Sequence, residues 1–480
     1  MKKKIFFTIS IIGAFIFFSA CNENQEPEVS ITPPEFKNVA VHDPSFVQTE
    51  DSFYIIGSHL QAAKSEDLLK WELVSENVQN TPFFTDIRSE FKEEFEYAQT
   101  DTFWASDIIQ LKDGRYYMYY CLCRGDSPLS VLGVAIADNI EGPYKKSETF
   151  LYSGTSPQFD QHYDATKHPN VIDPHVFYDD DGKLWMVYGS YSGGIFILEM
   201  DDTTGLPIDR NSYGKKLMGG NHSRIEGPYI IYNPTTEYYY LFVSFGGLDS
   251  VSGYNMRVSR SKNPDGPYED IQQQPMEKAK GRVNTFFDDK SIEPYGNKVI
   301  GNFTYEKNDG MTHAGYVSPG HNSVYYEAEK DRYFLIFHTR FPNRGEQYGV
   351  RVHQMYFTKD GWPVVNPLRY SGEEVEEPLK KEVPGAYTVI ETTKEITKSI
   401  EEPSLIELKA NGNIKGDYVG KWQFNEKDKD AEIIIEGIKY KGRFVENWDE
   451  RQAVKVMTFT GLSEEGIPIF IIETKENEND

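Results

Sequence analysis

Three short strings place a carboxylate beside a proline or glycine just ahead of an apolar run. They are His42-Asp43-Pro44-Ser45 before Phe46-Val47, Ile172-Asp173-Pro174-His175 before Val176-Phe177, and Ile225-Glu226-Gly227-Pro228 before Tyr229-Ile230-Ile231. If these segments are copies of one unit set around an axis, the three acids converge on one point. Crowded carboxylates raise one another's pKa. That suits acid/base hydrolysis of a glycosidic bond with inversion, where a base activates water and an acid protonates the leaving oxygen. Glu226 is the better general acid, because it is longer and sits in a string where burial keeps it protonated. Asp43, set by Pro44 in a tight turn, is the better general base. Asp173 is the third member, a modulator whose charge raises the pKa of Glu226. Any one Asp-Pro alone reads as a turn at the start of a strand; three at equivalent places do not.

The elements that must carry these acids form a repeat. Paired runs recur at 45–47 with 53–58, 107–111 with 116–121, 175–178 with 184–190, 229–232 with 238–244 and 324–326 with 333–338. The turns between them hold Lys112-Asp113-Gly114, Asp179-Asp180-Asp181-Gly182 or Asn233-Pro234, which is hairpin chemistry. Each pair is followed by a third run and a turn such as Gly142-Pro143-Tyr144 or Gly266-Pro267-Tyr268. Five units of four strands predict an all-β five-bladed β-propeller over residues 37–369, with an insertion at 269–317 before the fifth unit. In a blade the innermost strand starts at the rim where the second strand ends. One mouth should therefore hold Asp43, Asp173, Glu226 and Gly320-His321-Asn322-Ser323, with the loops 123–129, 189–194, 245–252 and 340–348. Asp107 falls about two residues late in its unit and is excluded from the acid set. His321 reads either as a hydrogen-bonded channel histidine or as the single imidazole ligand of a hydrated hard cation.

Composition narrows the partners. Aromatic residues make up 14% of the chain, including 32 Tyr and 30 Phe, which suits strands and also sugar stacking. The net charge of −25 repels nucleic acid and anionic polymers, so no nucleic-acid partner is expected and a neutral substrate is favoured. The start of the chain reads as an export leader: Lys2, Lys3 and Lys4, a short apolar run, then Phe18-Ser19-Ala20-Cys21. That last string resembles a bacterial lipobox with Phe in place of the usual Leu. It predicts a leader at 1–21, lipidation at Cys21, and a polar tether at 22–36. The only membrane association expected is a lipid anchor, on an outer-membrane lipoprotein of a Gram-negative bacterium. Cys121 and Cys123 stand too close for an unstrained disulfide. After a charge-rich join at 370–388, short alternating runs from 389 to 480 predict a small β-barrel or sandwich. Its Trp422 and Trp448 read as core or as a glycan platform.

The chain resembles glycoside hydrolase family 43, and within it the endo-acting α-1,5-L-arabinanases. The resemblance covers residues 37–369. It rests on Val41-His42-Asp43-Pro44, Trp104-Ala105-Ser106-Asp107, Asn170-Val171-Ile172-Asp173-Pro174-His175-Val176, Gly189-Ser190-Tyr191-Ser192-Gly193-Gly194-Ile195, Ile225-Glu226-Gly227-Pro228-Tyr229, Gly320-His321-Asn322-Ser323 and Val350-Arg351-Val352-His353-Gln354-Met355. The Asn-x-Ile-Asp-Pro-His and His-Gln-Met strings are the specific ones. The resemblance implies an inverting enzyme that cuts internal linkages of arabinan; a monomer is expected. It implies Asp43 as base, Glu226 as acid and Asp173 as modulator, and a hydrated calcium or similar ion on His321. It also implies sugar contacts from Asn170, Ser190 and the backbone near His222, with Trp104, Tyr191 and His222 as candidate contacts. Small C-terminal β-barrels occur in two-domain members. The alternatives are an exo-acting arabinofuranosidase or β-xylosidase of the same family, or a non-catalytic glycan-binding propeller.

Overall fold

The computed structural model describes residues 33–475 apart from 156–158, 160–161, 308–309, 375–377 and 428. The leader, the lipobox with Cys21 and most of the tether lie outside the described residues.

Among the described residues, five antiparallel sheets follow one another before a closed barrel. Blade 1 is Ser45–Gln48, Phe53–Ile56, Ala62–Ser65 and Glu72–Ser75. Blade 2 is Asp107–Gln110, Tyr116–Cys123, Ser130–Ala137 and Lys145–Ser153. Blade 3 is His175–Tyr178, Leu184–Tyr188, Ile195–Asp201 and Lys215–Met218, with the short Leu206–Pro207 also on the third strand. Blade 4 is Ile225–Asn233, Tyr238–Phe245, Asn255–Ser261 and Asn297–Ile300. Blade 5 is Gly315–Glu327, Arg332–Arg340, Tyr348–Phe357 and Pro363–Val365, and Phe303–Thr304 adds to its first strand. Second strands such as Tyr116–Cys123 are buried along nearly their whole length, because neighbouring blades cover both faces.

Apolar side chains fill each gap between blades, and that packing holds the ring. The gap between blades 5 and 1 closes it: Val41, Phe46 and Ile55 pack on Tyr325, Phe334, Ile336 and Val352. Among the described residues no strand is exchanged across that seam. The Val350 N–H donates to the Val39 carbonyl there, at 3.0 Å.

Three features of the structure were not read from the sequence. The stretch 269–317 is not a simple insertion: Asn297–Ile300 within it is the outer strand of blade 4, and Phe303–Thr304 belongs to blade 5. The chain leaves blade 4 after its third strand and returns to finish it, which no local pattern reveals. Two short helices, Ile87–Glu90 and Lys92–Ala98, separate blades 1 and 2 and bury Phe91 and Phe95 against Phe103 and Tyr120. The barrel begins at Gly385–Glu391, inside the stretch read as a join, and also contains Asn413–Gly416.

The barrel runs in chain order through Ser404–Leu408, Gly420–Phe424, Ala431–Ile435, Ile438–Asp449, Val454–Ser463 and Pro468–Glu473, and its last strand pairs with its first. Trp422 packs inside on Phe444, which settles it as core. Trp448 is 9% exposed, and so not an open platform either. Val445, Val456, Leu462, Phe470 and Ile472 instead point outward and join the core of blades 4 and 5. The fully buried Arg257 donates to the carbonyls of Glu293, Tyr295 and Lys394 and so ties blade 4 to the chain leaving the barrel's first strand.

Asp107 has a structural place near the axis. Its Oδ1 accepts from the Ser45 hydroxyl of blade 1, and its Oδ2 accepts the Val176 N–H of blade 3 at 2.7 Å. It therefore stitches three blades. Asp107→Ala leaves a buried N–H without a partner and should cost about 3 kcal/mol. A lower midpoint of urea unfolding checks this; an unchanged midpoint refutes it.

Candidate active site

Blades 1, 3 and 4 bring Asp43, Asp173 and Glu226 to one cavity of about 500 Å³ at the mouth of the channel. Asp43 and Asp173 precede the innermost strands of their blades, and both hold left-handed backbone, with φ of 56° and 58°. Such a conformation is strained for a non-glycine residue and persists only where the surroundings impose it. Glu226 lies inside its strand, at a break in register between Glu226 and Tyr229. There Gly227 takes the positive φ, 59°. A Cβ on Gly227 would come within 3.0 Å of the His321 ring, so only glycine lets the acid and the histidine share the axis.

Each carboxylate has its own partners. Asp43 Oδ2 accepts from the Ser58 hydroxyl at 2.5 Å and lies 2.8 Å from His42 Nδ1, while Oδ1 lies 3.1 Å from His321 Nδ1. The Asp43 N–H donates to His338 Nδ1 at 3.1 Å, and the His338 ring stacks on His42 at 4.0 Å. Glu226 Oε2 accepts from the Ser190 hydroxyl at 2.7 Å. Asp173 Oδ2 accepts the Gly227 N–H at 3.2 Å.

These environments sort the acids. Burial works against the Asp43 carboxylate, but the His42 and His321 rings outweigh it and hold the group well below the ordinary carboxylate range. Burial pushes Glu226 up, and the Ser190 hydroxyl and His321 pull back without cancelling it. Burial pushes Asp173 up as well; His321 opposes, and Glu226 and Asp43 add. Asp173 is thus not simply a fixed charge beside Glu226. The two titrate as a pair that keeps a proton where an isolated carboxyl loses it. Burial disfavours a charged His321, yet Asp43, Asp173 and Glu226 together push it up to about 9.

The four loops expected at the mouth all reach the cavity: Cys123; Ser190 and Tyr191; Leu248; and Arg340, Glu346 and Tyr348. Trp104, Asn170 and His321 line it too. Trp104 Nε1–H donates to the Cys123 carbonyl at 2.8 Å, and Asn170 Oδ1 accepts from the Ser130 hydroxyl at 2.6 Å. Cys121 and Cys123 are free and buried. His222 is not in the wall; its ring stacks on Phe286 at 4.3 Å. Sequence reasoning missed Ser58, His59, His42 and His338 as partners of the site. His42 had a signal, standing beside Asp43; His338 had none, since the fold brings it from 295 positions away.

His321 suits a single-imidazole ion site. Asp43 fixes Nδ1 as the donor, so an ion would have to take Nε2 in place of the proton that the carboxylates hold on the ring. Both Asp43 oxygens are already engaged by His42, Ser58 and His321, so water would have to fill the remaining coordination positions.

The family profile "Glycosyl hydrolases family 43" matches residues 36–363, and the profile "C-terminal lipocalin-like domain" matches 367–471. The chain is 55% identical over 437 residues to extracellular endo-α-(1→5)-L-arabinanase 2 of Bacillus subtilis, covering 90% of this chain and 92% of that protein. The crystal structure of a family 43 glycoside hydrolase from Bacillus licheniformis superposes with a TM-score of 0.89 at 52% identity, over 92% of this chain and all of that one. That of the endo-1,5-α-L-arabinanase from Thermotoga petrophila does so with a TM-score of 0.88 at 46% identity, again over 92% of this chain and 100% of that one. With three sorted carboxylates at the mouth of a five-bladed propeller and a family profile spanning that propeller, the chain belongs to family 43 of the glycosyl hydrolases.

Proposed function

We propose that this protein is an inverting endo-α-1,5-L-arabinanase acting as a monomer on arabinan. The observation that carries the reading is the opposite sorting of Asp43 and of the Glu226–Asp173 pair within one cavity. Asp43, held ionised, takes the proton of the attacking water. Glu226, kept protonated, delivers a proton to the leaving oxygen. Asp173 shares the proton of the pair and holds the Gly227 N–H, so it sets both the acidity and the placement of Glu226. Ser190 orients the Glu226 carboxyl, and Asn170, Trp104 and Tyr191 offer sugar contacts. The high identity to proteins named as endo-arabinanases supports cleavage within the chain.

Calcium or a similar hydrated cation would sit on His321 Nε2, where it would supply positive charge beside three carboxylates. Cys21 in its lipobox-like string supports a lipid anchor on the outer membrane; loss of membrane attachment in Cys21→Ala checks that.

Digestion of linear arabinan should release a ladder of oligosaccharides early, with inverted anomeric configuration by NMR. Release of arabinose or one short product from the outset would replace the endo reading by an exo one, and retained configuration would overturn the mechanism.

Asp43→Asn, Glu226→Gln and Asp173→Asn should each lower kcat by about 10²–10⁴-fold in folded protein. In residual Asp173→Asn activity the alkaline limb of kcat/KM should move to lower pH. Without its carboxyl partner Glu226 loses its proton sooner as pH rises. An alkaline limb that stays in place would remove Asp173 from the pair.

Chelation or His321→Ala should lower activity with the fold intact, and added calcium should restore only the chelated wild type. Active protein free of metal by elemental analysis, and indifferent to chelator, returns His321 to a hydrogen-bonding role.

A further inference from the structure

Outside the cavity, the loop at 281–289 carries Phe286, 74% exposed, and Phe287, 51% exposed. Large aromatic rings held out in water next to a ligand cavity mark a binding surface. This loop is built rather than loose. Arg282 and Asp288 close it with an ion pair of 2.7 Å, and Arg224 Nε–H donates to Asp289 at 3.0 Å. The Phe287 N–H donates to the His222 carbonyl and the Asn221 side-chain amide to the Gly281 carbonyl. Every one of these bonds outside the loop lands on residues 221–224, the lead-in to Glu226. The His222 ring backs one face of Phe286, at 4.3 Å and 12° between planes, and leaves the other face to solvent. Phe287 stands edge-on to Phe286 at 6.2 Å and to Tyr191, in the cavity wall, at 5.7 Å. An aromatic row therefore runs from the cavity outward: Tyr191, Phe287, Phe286.

We propose that Phe286, backed by His222 and continued through Phe287 to Tyr191, is an outer subsite that stacks the sugar rings of the substrate chain where it leaves the cavity. The occupant is a neutral polysaccharide strand. Ring stacking draws on the apolar face of a sugar and needs no charge, which fits a protein of net charge −25. Because its loop is fixed in advance, the platform binds without an ordering cost. It acts on long chains only, since short ones end inside the cavity. The proposal rests on the reading of the substrate as arabinan.

The test compares wild type, Phe286→Ala, Phe286→Tyr and, as a control for removing an exposed apolar side chain elsewhere, Leu405→Ala on the barrel, which is 57% exposed. Substrates are α-1,5-arabino-oligosaccharides of increasing length and linear arabinan. Phe286→Ala should raise KM about five- to tenfold on arabinan, with the effect shrinking as the chain shortens and kcat nearly constant. Phe286→Tyr should keep the wild-type length dependence, and Leu405→Ala should match wild type. The same loss of affinity should appear by calorimetry with Glu226→Gln as the inactive background. If Phe286→Ala follows the wild-type length dependence, or if KM rises equally at all lengths, the subsite is refuted. If wild type does not cut arabinan at all, the substrate reading fails instead.

Discussion

Three buried carboxylates on one axis constrain everything around them. Taking each out of water is costly, and their mutual repulsion adds to it. The site answers with histidines and hydrogen bonds distributed unevenly. Asp43 receives two imidazoles and a hydroxyl and stays ionised. Glu226 and Asp173 receive less and hold a proton between them. That imbalance is what an inverting hydrolase needs, and it comes from placement rather than from residue type, since Asp43 and Asp173 start from the same side chain.

Placement depends on a frame that does not give. Apolar layers between blades close the ring, and Asp107 joins blades 1, 2 and 3 through hydrogen bonds. The left-handed backbone at Asp43 and Asp173 is held by that frame. His338 adds to it in blade 5, fully buried and kept uncharged by burial and by His42, so that its Nδ1 can accept the Asp43 N–H. The barrel stiffens the same ring from outside, because its outward apolar face completes the core of blades 4 and 5. Arg257, with its guanidinium spent on backbone carbonyls, locks the crossing chain in place.

Much was legible in the chain itself. Alternation and turn chemistry marked most blade strands, since period-2 burial leaves a local trace. The acids were legible because each repeats the same place relative to an apolar run, and the mouth loops followed from blade geometry. The acidic balance was also a property of composition alone.

Tertiary structure decided the rest, because those features join residues far apart in the chain. The outer strand of blade 4 pairs only after a long excursion, so nothing near Asn297 announces its partner Met256 region. The first barrel strand hides in a charged stretch because its hydrogen bonds close onto Pro468–Glu473. His338 reaches Asp43, and Phe286 reaches His222, only through folding. Above all, the sequence determined which carboxylates meet, while the packed surroundings decided which of them keeps the proton, because that depends on burial and on neighbours no local pattern records.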